Sequence, residues 1–173
     1  MLSRYQSYSN QMGTGDLLLF RGTSPVSWAI RAITGGDVNH AAMILRIDEY
    51  LEGRVMQMGA VARGFYPTPL SDALVHYTGK VWWLPLKQDY NPLRREMGRQ
   101  ALLKSGVKYD FKSLFKNALA HVSLDARQFL CSEAYQWIGY RAGLPKLVGY
   151  ETKAMRPCEL EMLGWCEDRI RIL

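Results

Sequence analysis

A thiol and an imidazole in one chain can form a nucleophile and its base, so the three cysteines and three histidines are the first residues to weigh. Cys131 stands in Leu130-Cys131-Ser132-Glu133-Ala134-Tyr135, where the pattern predicts the start of a helix running from about Ser132 to Ala142. Exposed N–H groups and aligned peptide dipoles at a helix N-terminus favour thiolate, the nucleophilic form. The same residues also fit a buried structural cysteine, since free cysteine is among the residue types most often buried. His40 follows the turn-like Gly35-Gly36-Asp37-Val38-Asn39 and opens a predicted strand, a rigid element from which a side chain can project into a cleft. Imidazole titrates near neutrality and can take and return a thiol proton. His121, ten positions before Cys131, is the rival base. Asp16 follows Gly15 at the mouth of the first predicted strand, where capping a loop is the stronger reading and contact with a substrate the weaker.

The elements that must position these groups follow from periodicity. Gly15 to Gly22 encloses a short apolar run that predicts a buried strand. Pro25 opens a predicted helix to Thr34, ended by Gly35-Gly36. His40–Ile47 and Arg54–Val61 predict a β-hairpin, Tyr66-Pro67-Thr68-Pro69 a turn, Leu70–Tyr77 a short helix and Val81–Leu86 a further strand. Helical spacing resumes after Asn91-Pro92 up to Gly106, again over about Phe111–Ala120, and Pro157 opens a last short helix. Helices and strands mix without strict alternation, so the expected fold class is α+β with a mainly antiparallel sheet packed against helices.

With 173 residues, 48% hydrophobic and 22% charged, the expectation is one domain over residues 1–173 that folds throughout. The early apolar run Leu17–Phe20 is far shorter than a membrane span or a signal h-region, so no transmembrane segment is expected and the chain reads as cytoplasmic. Cys131, Cys158 and Cys166 are odd in number and irregularly spaced, which suits a reduced compartment and neither a disulfide framework nor a metal site. No cofactor is expected. A net charge of +6 favours anionic partners: nucleic acid, phospholipid headgroups or acidic cell-wall polymers. Lys104, Lys108, Lys112 and Lys116 recur every four residues, but Gly106 interrupts them and no nucleic-acid recognition motif accompanies them, so a solvated face is the expected role. Trp82 and Trp83 point to opposite faces of their strand, and core packing is the favoured reading for both.

Four motifs in order then carry a resemblance: Gly15-Asp16-Leu17-Leu18-Leu19-Phe20, Asn39-His40-Ala41-Ala42-Met43-Ile44, Gly106-Val107-Lys108-Tyr109-Asp110-Phe111 and Phe129-Leu130-Cys131-Ser132-Glu133-Ala134. Over roughly Gly15 to Leu160 the chain resembles the circularly permuted NlpC-type papain-like cysteine hydrolases, in the YiiX-like and lecithin retinol acyltransferase-like branch, where the histidine strand precedes the cysteine. Pro67-Thr68-Pro69-Leu70-Ser71-Asp72-Ala73 and Arg156-Pro157-Cys158-Glu159-Leu160 extend the likeness.

That resemblance implies a circularly permuted papain-like fold with Cys131 as nucleophile at a helix N-terminus and His40 as base. It implies Gln57, on the strand after the histidine strand, as the residue that orients the imidazole, in place of the usual acidic one. Tyr109 falls in a motif beside the family's cleft, where it is a candidate substrate contact alongside Asp16. The expected reaction is hydrolysis of an amide through a Cys-His dyad or a Cys-His-Gln triad, with the backbone N–H of Cys131 as the first oxyanion donor. Peptide, cell-wall and acyl substrates all remain open, the lipid or acyl-ester hydrolase or acyltransferase being the alternative chemistry. A non-catalytic binding module that keeps the papain-like cleft is the alternative from another class.

Overall fold

The computed structural model describes residues 2–47, 54–61, 64–106, 126–149 and 155–173. Six strands form one antiparallel sheet: β1 (Leu17–Gly22), β2 (His40–Arg46), β3 (Val55–Val61), β4 (Gly64–Pro69), β5 (Gly79–Leu84) and β6 (Ile170–Arg171), in the spatial order β4-β3-β2-β1-β5-β6. Around it lie α1 (Ser3–Tyr8), α2 (Pro25–Thr34), α3 (Leu70–Val75), α4 (Arg94–Leu103) and α5 (Ala126–Ala142), with a 3-10 segment at Pro157–Leu163. The α+β class and the antiparallel sheet agree with the sequence reading. The predicted helix over about Phe111–Ala120 lies outside the described residues.

Both faces of the sheet are covered, which explains why Leu17–Phe20 of β1 and Ala41–Leu45 of β2 are continuously apolar and do not alternate. On the first face Leu17, Leu19, Ala41, Met43, Leu45, Met56 and Met58 pack with Met97 and Ala101 of α4, with Tyr135, Ile138 and Ala142 of α5, and with Trp165. On the second face Leu18, Phe20, Ala42, Ile44, Val55, Val81 and Trp83 pack with Tyr5 of α1, with Leu70 and Leu74 of α3, and with Ile172. Trp82 and Trp83 divide between the faces as adjacent strand residues must: Trp83 belongs to the second, while Trp82 packs against the first with Arg169 over its ring.

Local signals set the ends of these elements. Ser24 caps α2 by accepting from the Ser27 N–H, Pro25 takes the first turn, and Gly35 closes the helix in the left-handed region at φ 65°. Two elements depart from the sequence reading. Tyr66–Pro69, expected as a turn, is part of β4, because an edge strand tolerates Pro67 and Pro69, which have no ladder N–H to give. Helix α5 begins at Ala126 and not near Ser132, since Ala126-Arg127-Gln128-Phe129-Leu130 holds good helix formers and no breaker.

Candidate functional site

His40 is the first residue of β2, paired with Phe20 of β1, and cross-strand partners share a face. Its ring lies tilted against Phe20 with centroids 5.2 Å apart, and Phe20 in turn meets the edge of Tyr77 at 5.4 Å. On its other side stands Gly59 of β3, where a Cβ would lie 3.6 Å from His40 Nε2 and 3.6 Å from Ala42 Cβ. Among the described residues neither ring nitrogen of His40 has a hydrogen-bond partner. The residue keeps part of its surface open, yet the ring is enclosed enough that burial alone pushes its pKa down to about 4. Among the described residues nothing replaces the hydration that a charged imidazolium would lose, so burial holds the group neutral at physiological pH.

Gln57 is not the residue beside the imidazole. It lies opposite Ile44, four residues along β2 from His40, a separation of about 13 Å. Its Nε2 donates to Thr68 Oγ1 at 3.2 Å, and its buried Oε1 has no partner among the described residues. Both residues lie on the same face, so the expectation failed by register along the strand and not by side. The side-chain position that addresses His40 belongs to Gly59, which offers no acceptor.

Asp16 is buried and fully committed. Gly13 N–H and Trp83 Nε1–H donate to its Oδ2 at 2.8 and 2.7 Å, while Leu86 N–H and Arg94 Nη1 donate to its Oδ1 at 3.0 and 2.6 Å. These bonds tie the start of β1 to β5 and α4. They leave the carboxylate no free edge for a substrate, so the structural reading of Asp16 replaces the binding one. Tyr109 and His121 lie outside the described residues.

Cys131 is five residues on from Ala126, in the second turn of α5, and so is not at the helix N-terminus as the sequence predicts. At that depth a backbone N–H belongs to the intrahelical ladder, which removes it as a ready oxyanion donor. The described part of α5 packs through Ala134, Tyr135, Ile138 and Ala142 onto the first sheet face, whereas His40 stands on the second. The side chain of Cys131 lies outside the described residues.

The environment of the other two thiols favours their protonated form. Burial pushes Cys166 up to about 12, beside the Tyr135 hydroxyl at 3.3 Å, and burial also raises Cys158, which packs against Gly36. No three His, Cys, Asp or Glu side chains stand together as metal ligands among the described residues. Sequence reasoning missed Gly59 and Tyr77. The first carries no chemistry of its own, and its importance depends wholly on register; the second, two residues past α3, is brought beside Phe20 by the pairing of β5 with β1.

No family model matches the chain, and no curated protein does. Among solved structures the chain is similar to the crystal structure of metalloprotein YiiX from Escherichia coli O157:H7, a DUF1105 protein. The two share 22% identity at a TM-score of 0.58, over 92% of this chain and 88% of that one. The α+β architecture described above is therefore a YiiX-like fold. No helix among the described residues is long and apolar enough to cross a membrane.

Proposed function

We propose that the chain is a cysteine hydrolase of the permuted papain-like type, cleaving an amide with Cys131 as nucleophile and His40 as base. The observation that carries this reading is His40 itself: an imidazole held neutral by burial, without a hydrogen-bond partner among the described residues, at the head of a strand in a YiiX-like fold. A base must be deprotonated and within reach of its donor, and burial supplies the first condition. With the imidazole near 4, a thiol of ordinary acidity does not transfer its proton in the resting state; the proton moves to His40 as sulfur attacks the carbonyl and returns to the leaving amine. The mechanism is a dyad, since Gln57 stands away from the ring. It requires the first turns of α5 to present Cys131 to the second sheet face at the His40 end of β2. Peptide amides, including those of cell-wall type, are the preferred substrates; acyl esters use the same chemistry.

A non-catalytic binding module is the second reading, favoured by Gly59 where an orienting acceptor would stand and by the depth of Cys131 in α5. Thiol-reactive acyl and peptidyl probes separate the two, with labelling mapped by mass spectrometry on wild type, Cys131→Ala and His40→Ala. The hydrolase reading expects fast labelling at Cys131 that His40→Ala slows, against slow labelling of Cys158 and Cys166, whose raised pKa values keep them as thiols. Slow, His40-independent labelling at all three would favour the binding module.

A further inference from the structure

We propose that the cavity between α1, the start of β3 and the β4–α3 junction binds a small zwitterion of the amino-acid type, its carboxylate held by Arg54 and Tyr5 and its ammonium by Asp72. The site is independent of the hydrolase reading. Val55 in its wall pairs with Arg46, six residues along β2 from His40 and about 20 Å away.

The cavity has a volume of about 340 Å³, at the small end of ligand sites, which run from about 300 to 1,000 Å³. Three groups in its wall are left unpaired among the described residues. Tyr5 is only 8% exposed, with its ring in the core of the second sheet face, yet its hydroxyl makes no hydrogen bond. Polar groups in such positions are nearly always paired. The unpaired atoms sealed from solvent are Gln57 Oε1 and the Tyr77 hydroxyl; the Tyr5 hydroxyl is not one of them, and its opening is the cavity that Tyr5 lines. Arg54 is exposed in the same wall and forms no ion pair, and Asp72 accepts only from the Ser71 hydroxyl, at 3.1 Å.

The ligand's chemistry follows from these groups. A guanidinium and a carboxylate line one small cavity without closing on each other, so a ligand that carries both complementary charges satisfies both. An anion alone would gain from Arg54 but face the Asp72 carboxylate as a like charge, and a cation alone would face Arg54 in the same way. The fork of Arg54 matches a carboxylate with two parallel hydrogen bonds. Burial raises the pKa of Tyr5, so its hydroxyl stays protonated and can donate to that carboxylate; Asp72 acts on the same hydroxyl by its charge, which places the acid at the same end of the ring. The ammonium then falls to Asp72. The small volume restricts the ligand to a short side chain, for which Val55 and Pro69 supply the apolar part of the wall.

The test is an NMR titration of the amide-labelled full-length protein with glycine and L-alanine, and with acetate and methylammonium as single-charge controls. Both amino acids should give saturable shifts at residues around the cavity, and each control should bind at least about tenfold more weakly, as loss of a hydrogen bond to a charged group predicts. Arg54→Ala, Asp72→Asn and Tyr5→Phe should each weaken amino-acid binding by about tenfold or more. Arg54 and Asp72 lie on the surface and Tyr5→Phe keeps the packed ring, so the variants should retain the wild-type spectrum elsewhere. No saturable response to either amino acid, equal binding of acetate or methylammonium, or unchanged binding in the three variants would each overturn the site. The readout involves neither Cys131 nor His40, so loss of the hydrolase reading would leave this result standing, and the reverse.

Discussion

Lowering the pH should cost this fold stability through His40 in particular. The folded imidazole titrates at about 4, against about 6.5 for a free histidine. As pH falls through 6.5 the unfolded chain binds this proton and the folded chain refuses it, so the contribution, complete above 6.5, is lost between 6.5 and 4 and does not change below that. The difference in pKa corresponds to about 3 kcal/mol. The expected measurement is urea unfolding of wild type and His40→Gln at several pH values from 7 to 4, in buffers free of carboxylate. Carboxylates common to both proteins cancel in the comparison, so wild type should lose about 3 kcal/mol more than the variant over that range, with equal urea dependence. Equal pH slopes in the two proteins would refute the argument that apolar enclosure holds His40 neutral. If the hydrolase reading is right, the same group places the acid limb of activity near pH 4, well below the limb of an ordinary histidine.

Asp16→Ala should destabilise by about 3–5 kcal/mol in urea unfolding, because it strips the acceptor from Arg94 and three further donors at the joint of β1, β5 and α4. Gly139→Ala should lower stability by about 1–3 kcal/mol, since a Cβ there runs into the ring of Trp165, and the loss should shrink when Trp165 is trimmed to Leu. Gln57→Ala should leave probe labelling at Cys131 within about twofold of wild type, as Gln57 bonds Thr68 and stands well away from His40; a loss of tenfold or more in a folded variant would restore it as the orienting residue.

How much of this was legible in the chain depended on how local each determinant was. The apolar runs Leu17–Phe20 and Ala41–Leu45 announce strands by themselves, and Pro25 with Gly35-Gly36 frames α2 without any tertiary help. Asp16 reads as a cap from its neighbours, but its partners Trp83, Leu86 and Arg94 lie 67, 70 and 78 residues away, so its saturation appears only once the sheet closes. β4 was hidden because prolines signal a turn unless the strand is known to be an edge. The choice of Gln57 failed by register, since Gln57 pairs with Ile44, an even number of residues from His40. Such a shift keeps a side chain on the same face and changes only its partner, so hydrophobic patterning, which distinguishes faces, cannot detect it.

The two titratable groups at opposite ends of the β1–β2 pair sharpen the functional argument. Asp16 sits where the pair begins and accepts four hydrogen bonds; His40 sits where it ends and makes none among the described residues. Both are polar side chains removed from water at a cost, and in the first the cost is offset locally by donors from three segments. In the second nothing in the described structure offsets it. An imidazole without a partner among the described residues is free to meet a reacting or binding group, and the glycine beside it adds no acceptor. Gly59 takes an ordinary strand conformation and has space for a Cβ, so neither backbone geometry nor packing demands glycine there. Substitutions at residue 59 therefore probe the surroundings of His40 and not the backbone of the strand.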